Sequence, residues 1–251
     1  TRPEEIEAAI GPRTAALFVP AHLDEHNGTV PLADVAAIGR AAGVPTLVDA
    51  AYLNDPLRLM GSFAAAGADL VCFSAKYFGG PNAGGFICGR ADLIDAVAGV
   101  DFTRHESGPY RRFGRAFKLD RQAVVATVVA LREWFAEDPA DRWRRFGERV
   151  ALLADELAEL PGATLTPMCF TMDERLVPSP VNSLVVRFPD AAPGFVSEIV
   201  AELAAGNPSI RCIAEGDALV LVVETLRDDE ARLVARRLME IVAPVREAVA
   251  R

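Results

Sequence analysis

Short apolar runs alternate with amphipathic segments along the first ninety residues. This alternation is typical of βαβ units, in which helices cover both faces of a mostly parallel sheet. The first apolar run is expected to be a buried strand, because it is apolar throughout. Four strands are predicted, at Ala15–Pro20, Thr46–Asp49, Leu70–Ser74 and Gly85–Cys88. The helices between them are predicted at Pro31–Ala42 and Leu59–Ala66, and the chain begins inside a further helix.

The pattern changes after Arg90. Residues Phe102–Lys118 are rich in Arg, Gly and Pro and are predicted to be an irregular crossing segment. Two long helical patterns follow, at Asp120–Glu137 and Pro139–Leu160. The remainder alternates strands, at Ala163–Phe170, Asn182–Phe188, Ile210–Ala214 and Ala218–Val222, with helices at Pro193–Ala205 and Asp228–Val249. We therefore predict two domains, residues 1–118 and a small α+β domain, residues 119–251, that is entered through a long helix.

Charge and cysteine content exclude several classes of protein. The net charge of -9, from 35 acidic and 26 basic residues, disfavours a nucleic-acid partner. The four cysteines form no CxxC pair and only three histidines are present, so no metal site is predicted. Reduced thiols, no long apolar stretch and no signal peptide favour a cytoplasmic protein without a membrane span.

A lysine follows the third predicted strand, in the sequence Phe73–Pro81, FSAKYFGGP. Lys76 is thus expected at the carboxyl edge of a parallel sheet, where such folds bind ligands. Apolar neighbours would remove hydration from its amine and favour the neutral form that Schiff-base chemistry requires. Ser74 could donate to a phosphate oxygen, and the Gly-Gly-Pro turn would let the backbone approach a ligand. An ordinary surface lysine after a strand is the alternative.

An aspartate ends the preceding strand, in Val48-Asp49-Ala50-Ala51-Tyr52. Asp49 lies one βα unit before Lys76, at the same expected sheet edge. A carboxylate there could hold the pyridine nitrogen of pyridoxal 5'-phosphate (PLP) in its protonated form, and Tyr52 could reach the ring hydroxyl. The alternative role for Asp49 is a helix cap.

Two further groups are weaker candidates. His22 follows the first strand at the same edge, so it could contact a cofactor ring or a substrate, although a structural role is an open alternative. Arg111, Arg112, Arg115 and Lys118 concentrate positive charge on an acidic chain. Arg112 and Arg115 are the candidates for binding a substrate anion, because guanidinium groups recognise carboxylate and phosphate. A solvated or subunit-facing basic segment is the alternative.

The string FSAKYFGGPNAGGFICGR at Phe73–Arg90 resembles the lysine loop of fold-type-I PLP enzymes of the selenocysteine-synthase-like group. That group includes L-seryl-tRNA(Sec) selenium transferase and D-glucosaminate-6-phosphate ammonia-lyase. The Asp49 strand, RAFKLDRQ at Arg115–Gln122 and the segment Gly206–Val222 are similar to the same group. The resemblance implies part of an aminotransferase-like large domain, residues 1–118, with a mostly parallel sheet, followed by the small α+β domain.

The same resemblance implies roles for individual residues. Lys76 would form the internal aldimine and Asp49 would pair with the pyridine nitrogen. Ala51 would lie against the ring and Ser74 near the phosphate. The sequence departs from many members in having only Ala75 between Ser74 and Lys76, which puts the role of Ser74 in question.

The implied function is PLP-dependent elimination or aldol-type lyase chemistry on a small amino acid or amino sugar acid, in a homodimer or higher homo-oligomer. Selenium transfer to seryl-tRNA is one alternative, which the acidic charge opposes. A non-catalytic protein that keeps the PLP fold for binding or assembly is another, which the pairing of Lys76 with Asp49 opposes.

The resemblance implies a large domain with a seven-stranded sheet, whereas only about four strands precede the small domain here. In this family, the part of the chain before the strand that corresponds to Ala15–Pro20 supplies the phosphate-binding loop and helix N-terminus. We therefore expect these 251 residues to be less than the whole functional polypeptide.

Overall fold

The computed structural model describes residues 1–23, 28–52, 57–104, 114–170 and 181–249. The chain forms two compact units, Thr1–Glu137 and Asp138–Arg251. The domain boundary predicted after Lys118 stays a prediction, whereas the compact units divide later along the chain. Within the described residues, no helix is both long enough and apolar enough to cross a membrane.

The described residues of the first unit form a four-stranded sheet and five α-helices. Its strands are β1 (Leu17–Pro20), β2 (Thr46–Asp49), β3 (Leu70–Ser74) and β4 (Gly85–Gly89). Its helices are α1 (Pro3–Ala9), α2 (Leu32–Ala42), α3 (Leu57–Ala65), α4 (Ala91–Val100) and α5 (Arg121–Ala136). The strand order is β1-β2-β3-β4, with β1 to β3 parallel and β4 antiparallel to β3. All four predicted strands are therefore present.

Apolar side chains of β2 and β3 form the core of this sheet. Val48 and Val71 are buried on adjacent strands, and Met60 and Phe63 of α3 pack in the same cluster. This burial supplies the main stabilisation, at about 1.5–3 kcal/mol for each large apolar side chain. It fixes the register of β2 and β3, and the register fixes which residues follow each strand at the sheet edge.

The expectation that the first strand is buried is wrong. β1 pairs only with β2 and is an edge strand of the described sheet, and Phe18 is 64% exposed. A continuous apolar run predicts that a strand can be covered on both faces, but coverage depends on elements distant in sequence. Helix α4 was not predicted, because its sequence, ADLIDAVAGV, has neither a Ser, Thr, Asp or Asn N-cap nor a regular polar face.

The second unit is an antiparallel sheet covered by helices. Its strands are β5 (Thr164–Met168), β6 (Ser183–Arg187), β7 (Ile213–Glu215) and β8 (Ala218–Val222), in the order β5-β6-β8-β7. The helices are α6 (Pro139–Glu156), α7 (Phe195–Ala205) and α8 (Asp228–Val249). Leucines of all three helices and of the central strands are fully buried in one cluster, including Leu153, Leu203, Leu219 and Leu238. The α+β character predicted for this part of the chain is therefore present.

Candidate functional site

The carboxyl ends of three parallel strands lie side by side in the first unit. Pro20 at the end of β1 pairs with Asp49 at the end of β2, and Asp49 pairs with Cys72 near the end of β3. Because the strands are parallel, the segments that follow them leave the sheet at the same edge. His22, Tyr52 and Lys76 belong to those three segments.

Aromatic rings connect these segments. The ring centroids of His22 and Tyr52 are 6.1 Å apart, and those of Tyr52 and Tyr77 are 5.8 Å apart. The Lys76 Nζ lies 4.9 Å from the centroid of the Tyr77 ring, which is within the range of a cation–π contact. We call His22, Tyr52, Tyr77 and Lys76 the ring row. It joins the segments after β1, β2 and β3.

Tyr77 is the member of the ring row that sequence reasoning missed. Its signal was its position beside Lys76, but adjacency in sequence does not show which way a ring points. The short 3₁₀ helix Ala75–Phe78 decides its orientation, because it turns the Tyr77 ring toward Tyr52.

Asp49 is half-buried, and one of its carboxylate oxygens is anchored locally. Its Oδ1 accepts a hydrogen bond of 3.0 Å from the Ala51 backbone N–H. Its Oδ2 accepts none from the described residues. The side chain is thus held by a turn-type contact while one oxygen can accept a further donor.

The Asp49 carboxylate affects the pKa of a thiol on the neighbouring strand β3. Burial raises the pKa of the Cys72 thiol above its usual value, and the Asp49 carboxylate and Cys88 raise it further. Cys72 is the register partner of Asp49. Sequence reasoning had assigned Cys72 only as a reduced thiol, because cross-strand register is not visible in one strand's sequence.

Lys76 itself is exposed. Its neighbours Ala75 and Phe78 are buried, because residues three apart share one side of a 3₁₀ helix and Lys76 lies off that side. The expectation that apolar neighbours dehydrate the Lys76 amine is therefore wrong for the described residues.

Two backbone hydrogen bonds hold the loop that carries Lys76. The Ala75 N–H donates to the Gly84 carbonyl, and the Gly80 N–H donates to the Ala75 carbonyl, at 3.0 and 2.8 Å. Gly79 has a φ of 81°, a left-handed conformation that glycine adopts without strain. These bonds fold the chain back so that β4 returns beside β3.

Phenylalanine rings anchor the same loop to the sheet. The ring centroids of Phe73 on β3 and Phe86 on β4 are 5.0 Å apart and stacked. The ring centroid of Phe78, in the short helix with Lys76, lies 6.0 Å from that of Phe86. Such aromatic pairs contribute about 0.5–1.5 kcal/mol each beyond their buried area. Core packing therefore fixes the backbone of the loop at Lys76, while the Lys76 side chain is exposed.

Helix α5 packs against the other side of the loop. A Cβ placed on Gly84 would collide with the Thr127 Oγ1, and one placed on Gly80 would touch Ala130. The glycines thus permit close approach of α5 to the lysine loop. A groove of about 560 Å³ runs between Gly79 and one side of α5.

The remaining predicted residues have mixed positions. Ser74 is half-buried at the end of β3, where its backbone N–H donates to the Ala51 carbonyl at 3.0 Å. Ala51 and Ser74 are therefore neighbours at the sheet edge. Arg115 is exposed on the short helix Gly114–Phe117 and forms no ion pair with another described residue. Arg112 lies outside the described residues.

Comparison of folds defines the class of protein. The chain matches the structure of D-glucosaminate-6-phosphate ammonia-lyase with a TM-score of 0.76 and 25% sequence identity. The match covers 97% of this chain and 62% of that one. The predicted α/β fold class, aminotransferase-like with a mostly parallel sheet and a small C-terminal α+β part, is confirmed.

Sequence comparison gives named relatives. The chain is 32% identical over 207 residues to 5'-C-glycyluridine monooxygenase-decarboxylase from a Streptomyces species, covering 82% of this chain and 48% of the relative. It is 28% identical over 269 residues to L-seryl-tRNA(Sec) selenium transferase of Moorella thermoacetica, covering 94% and 54%. No family model matches. The chain spans about half the length of these curated relatives.

The resemblance to the selenocysteine-synthase-like group of PLP enzymes is confirmed, because the homologues include the two enzymes that the resemblance names. Those relatives are all enzymes. The names of these relatives describe a lyase, a transferase and a monooxygenase-decarboxylase, so they do not select one reaction.

Proposed function

We propose that this chain carries the cofactor-binding lysine of a PLP-dependent lyase that acts on a small amino acid or amino sugar acid. The ring row is the observation that carries the proposal, because it brings Lys76 to the sheet edge that Asp49 occupies. PLP, when bound, supplies an electron sink that stabilises negative charge at the carbon bearing the substrate's amino group.

The residues present fit that cofactor. A pyridinium N–H needs an acceptor, and the Oδ2 of Asp49 accepts no hydrogen bond from the described residues while its Oδ1 is anchored by Ala51. A charge-assisted hydrogen bond of this kind contributes about 1.5–3 kcal/mol. Asp49 would therefore keep the pyridine nitrogen protonated, as the electron sink requires.

Small and aromatic side chains suit the flat ring. Ala51 leaves room beside Asp49, and Tyr52, in the next position, would donate its hydroxyl to the ring oxygen. His22 would contact the ring or the substrate, since its own ring adjoins Tyr52. Ser74, joined to Ala51 through the backbone, would donate its hydroxyl to a phosphate oxygen.

Lys76 has two roles in this proposal. Its Nζ would hold the cofactor covalently, and once substrate displaces it the same amine would move a proton at the substrate's reacting carbon. The hydrogen-bonded loop that carries Lys76 would keep the amine on one face of that carbon. Arg115, or Arg112, would bind the substrate's carboxylate or phosphate.

Among the relatives, the ammonia lyase supports elimination. The ammonia lyase, by its name, acts on an amino sugar acid, and it shares the fold over 97% of this chain. Selenium transfer to seryl-tRNA is supported by the transferase homologue. The net charge of -9 argues against it, because tRNA binding depends on basic side chains.

The proposal is tested by cofactor absorbance. The protein mixed with PLP should show the long-wavelength band of protein-bound cofactor, and so should Lys118→Ala. Lys76→Ala should lose that band. Small amino acids and amino sugar acids are then screened for a spectral change coupled to release of ammonia. A band retained by Lys76→Ala would contradict the proposal.

A further inference from the structure

The contact between Lys76 and Tyr77 does not follow from helix geometry alone. The two residues are adjacent in the 3₁₀ helix Ala75–Phe78, and successive residues of such a helix point in directions about 120° apart. The Lys76 Nζ nevertheless lies 4.9 Å from the centroid of the Tyr77 ring. The long side chain of Lys76 therefore turns back over the ring of the next residue, and the ring is a partner of the amine.

The Tyr77 ring is held in place by groups other than the lysine. It is half-buried, and its centroid lies 5.8 Å from that of the Tyr52 ring at an interplanar angle of 59°. The Tyr52 ring centroid is in turn 6.1 Å from that of His22. Tilted ring pairs at such distances are favourable. The segments after β1 and β2 thus fix the ring, whereas the exposed Lys76 amine is carried on a flexible four-carbon chain.

The ring takes the place of a carboxylate as the partner of the Lys76 charge. Lys76 forms no ion pair with another described residue, although Arg90 in the same unit pairs with Asp69. Asp49, at the same sheet edge, is anchored through the Ala51 N–H instead. An ion pair with Lys76 would neutralise the carboxylate that the proposed function assigns to the pyridine nitrogen. An aromatic ring attracts an ammonium through its quadrupole and leaves that carboxylate unchanged.

We propose that Tyr77 is a positioning residue for Lys76, and that its ring holds the ammonium whenever the lysine is not bonded to the cofactor. The use of this contact in turnover rests on the proposed function. In that reaction the Lys76 Nζ accepts the proton that leaves the substrate's reacting carbon, while the electron pair of the C–H bond stays on the carbon. The ring then stabilises the ammonium that this transfer creates.

The strength of the contact suits a lysine that must leave the ring and return to it. A cation–π contact at an exposed site corresponds to a factor of about two to five in an equilibrium constant. Lys76 therefore leaves the Tyr77 ring readily to form a covalent bond. The same factor sets the size of the effect expected when the ring is removed.

The contact is tested in the protein without cofactor. The chain contains two lysines, which are acetylated at low conversion with an activated ester, and peptide mass spectrometry gives the rate at Lys76 relative to Lys118. Tyr77→Leu should raise this ratio by about two- to fivefold, because the amine no longer has to leave the ring before it reacts. Tyr77→Phe keeps a ring and should leave the ratio unchanged. Circular dichroism confirms the folding of each variant.

Phe117→Leu is the matched control. Phe117 is 65% exposed and precedes Lys118, a lysine that has no cation–π contact with a described ring. This change removes a ring beside the other lysine, and the acetylation ratio should stay the same. An effect of lost aromatic surface in general would raise or lower the ratio in this variant as well.

Steady-state kinetics test the use of the contact in turnover. Tyr77→Leu should lower kcat by about two- to fivefold with little change in KM, because the ammonium forms only after the substrate is bound. Tyr77→Phe should retain the original kcat. An unchanged acetylation ratio or an unchanged kcat in Tyr77→Leu, or a Tyr77→Phe variant that behaves like Tyr77→Leu, would overturn the proposal.

The acetylation experiment separates this inference from the proposed function. It needs no PLP, so it decides whether the ring holds the amine even if Lys76→Ala retains the cofactor band. Loss of that band in Lys76→Ala together with an unchanged acetylation ratio in Tyr77→Leu would leave the proposed function standing and remove the role of Tyr77.

Discussion

The rings of Tyr52 and Tyr77 lie 5.8 Å apart, and this contact connects the segment after β2 with the segment after β3. Asp49 is three residues before Tyr52, and Lys76 is one residue before Tyr77. The carboxylate and the amine are 27 residues apart in sequence and are brought to one sheet edge by two parallel strands and one aromatic contact.

The chain contains two lysines, so the identity of the cofactor-binding lysine can be decided by chemistry. Borohydride reduction of the protein with PLP, followed by peptide mapping, should place the pyridoxyl group on Lys76. Lys76→Arg should abolish labelling. Label on Lys118 would contradict the assignment.

Asp49→Asn should lower turnover much more than cofactor affinity. An amide cannot hold the pyridine nitrogen protonated, while the other ring and phosphate contacts stay. Loss of the protonated electron sink should raise the activation barrier by about 1.4 kcal/mol or more, which is a tenfold or larger drop in turnover. Steady-state kinetics and PLP titration measure the two effects separately. Equal activity of the two forms would show that Asp49 has only a structural role.

Cys72 should react slowly with thiol reagents near neutral pH. Its thiol pKa is raised by burial, by Asp49 and by Cys88, so the reactive thiolate appears only at higher pH than for an ordinary cysteine. Asp49→Asn removes one of these causes and should shift the onset of alkylation at Cys72 to lower pH. Site-resolved mass spectrometry over a pH series checks this, with Cys212 as the internal control, because its pKa is raised by burial alone. If the pH dependence of Cys72 alkylation were the same in Asp49→Asn, the Asp49 charge would not be a cause of the raised Cys72 pKa.

Gly84→Ala should destabilise the protein by about 1–3 kcal/mol, because the new methyl group collides with the Thr127 Oγ1 of α5. Thr127→Ala should recover part of that loss in the double variant, since the two sites touch. Urea unfolding measures each free energy.

Gly99→Ala is the control for this cycle. A Cβ on Gly99 meets nothing within 4 Å inside α4, so this change should be neutral or stabilising by up to about 1 kcal/mol. If Gly84→Ala and Gly99→Ala had the same effect, the close contact between α5 and the lysine loop would be ruled out.

The chain should have no submicromolar, salt-sensitive affinity for tRNA. Such binding arises mainly from counterion release by Lys and Arg, and acidic side chains outnumber basic ones here by 35 to 26. Filter binding at low and high salt, with the complete selenium transferase as positive control, measures it. Tight, salt-dependent binding would support the tRNA alternative instead.

The strands, and the positions of Asp49 and Lys76 at one sheet edge, could be predicted from the sequence. Each strand is a short apolar run, which is a local property, and a parallel arrangement places the residues after such runs at one edge. Asp49 and Lys76 follow from that rule without any knowledge of contacts. The resemblance of the lysine loop added the expectation of a PLP cofactor, which spacing alone does not name.

Other features depended on contacts between distant residues. The exposure of Phe18 and of the valines on α5 depends on which elements cover them. The contact between the Tyr52 and Tyr77 rings depends on the turn of a 3₁₀ helix. The influence of the Asp49 charge on the Cys72 pKa depends on the register of β2 and β3. Burial and charge interactions act through space, so they depend on residues that a local sequence pattern does not contain. The sequence by itself determined where strands end and which chemical groups follow them, and the tertiary structure decided which of those groups meet.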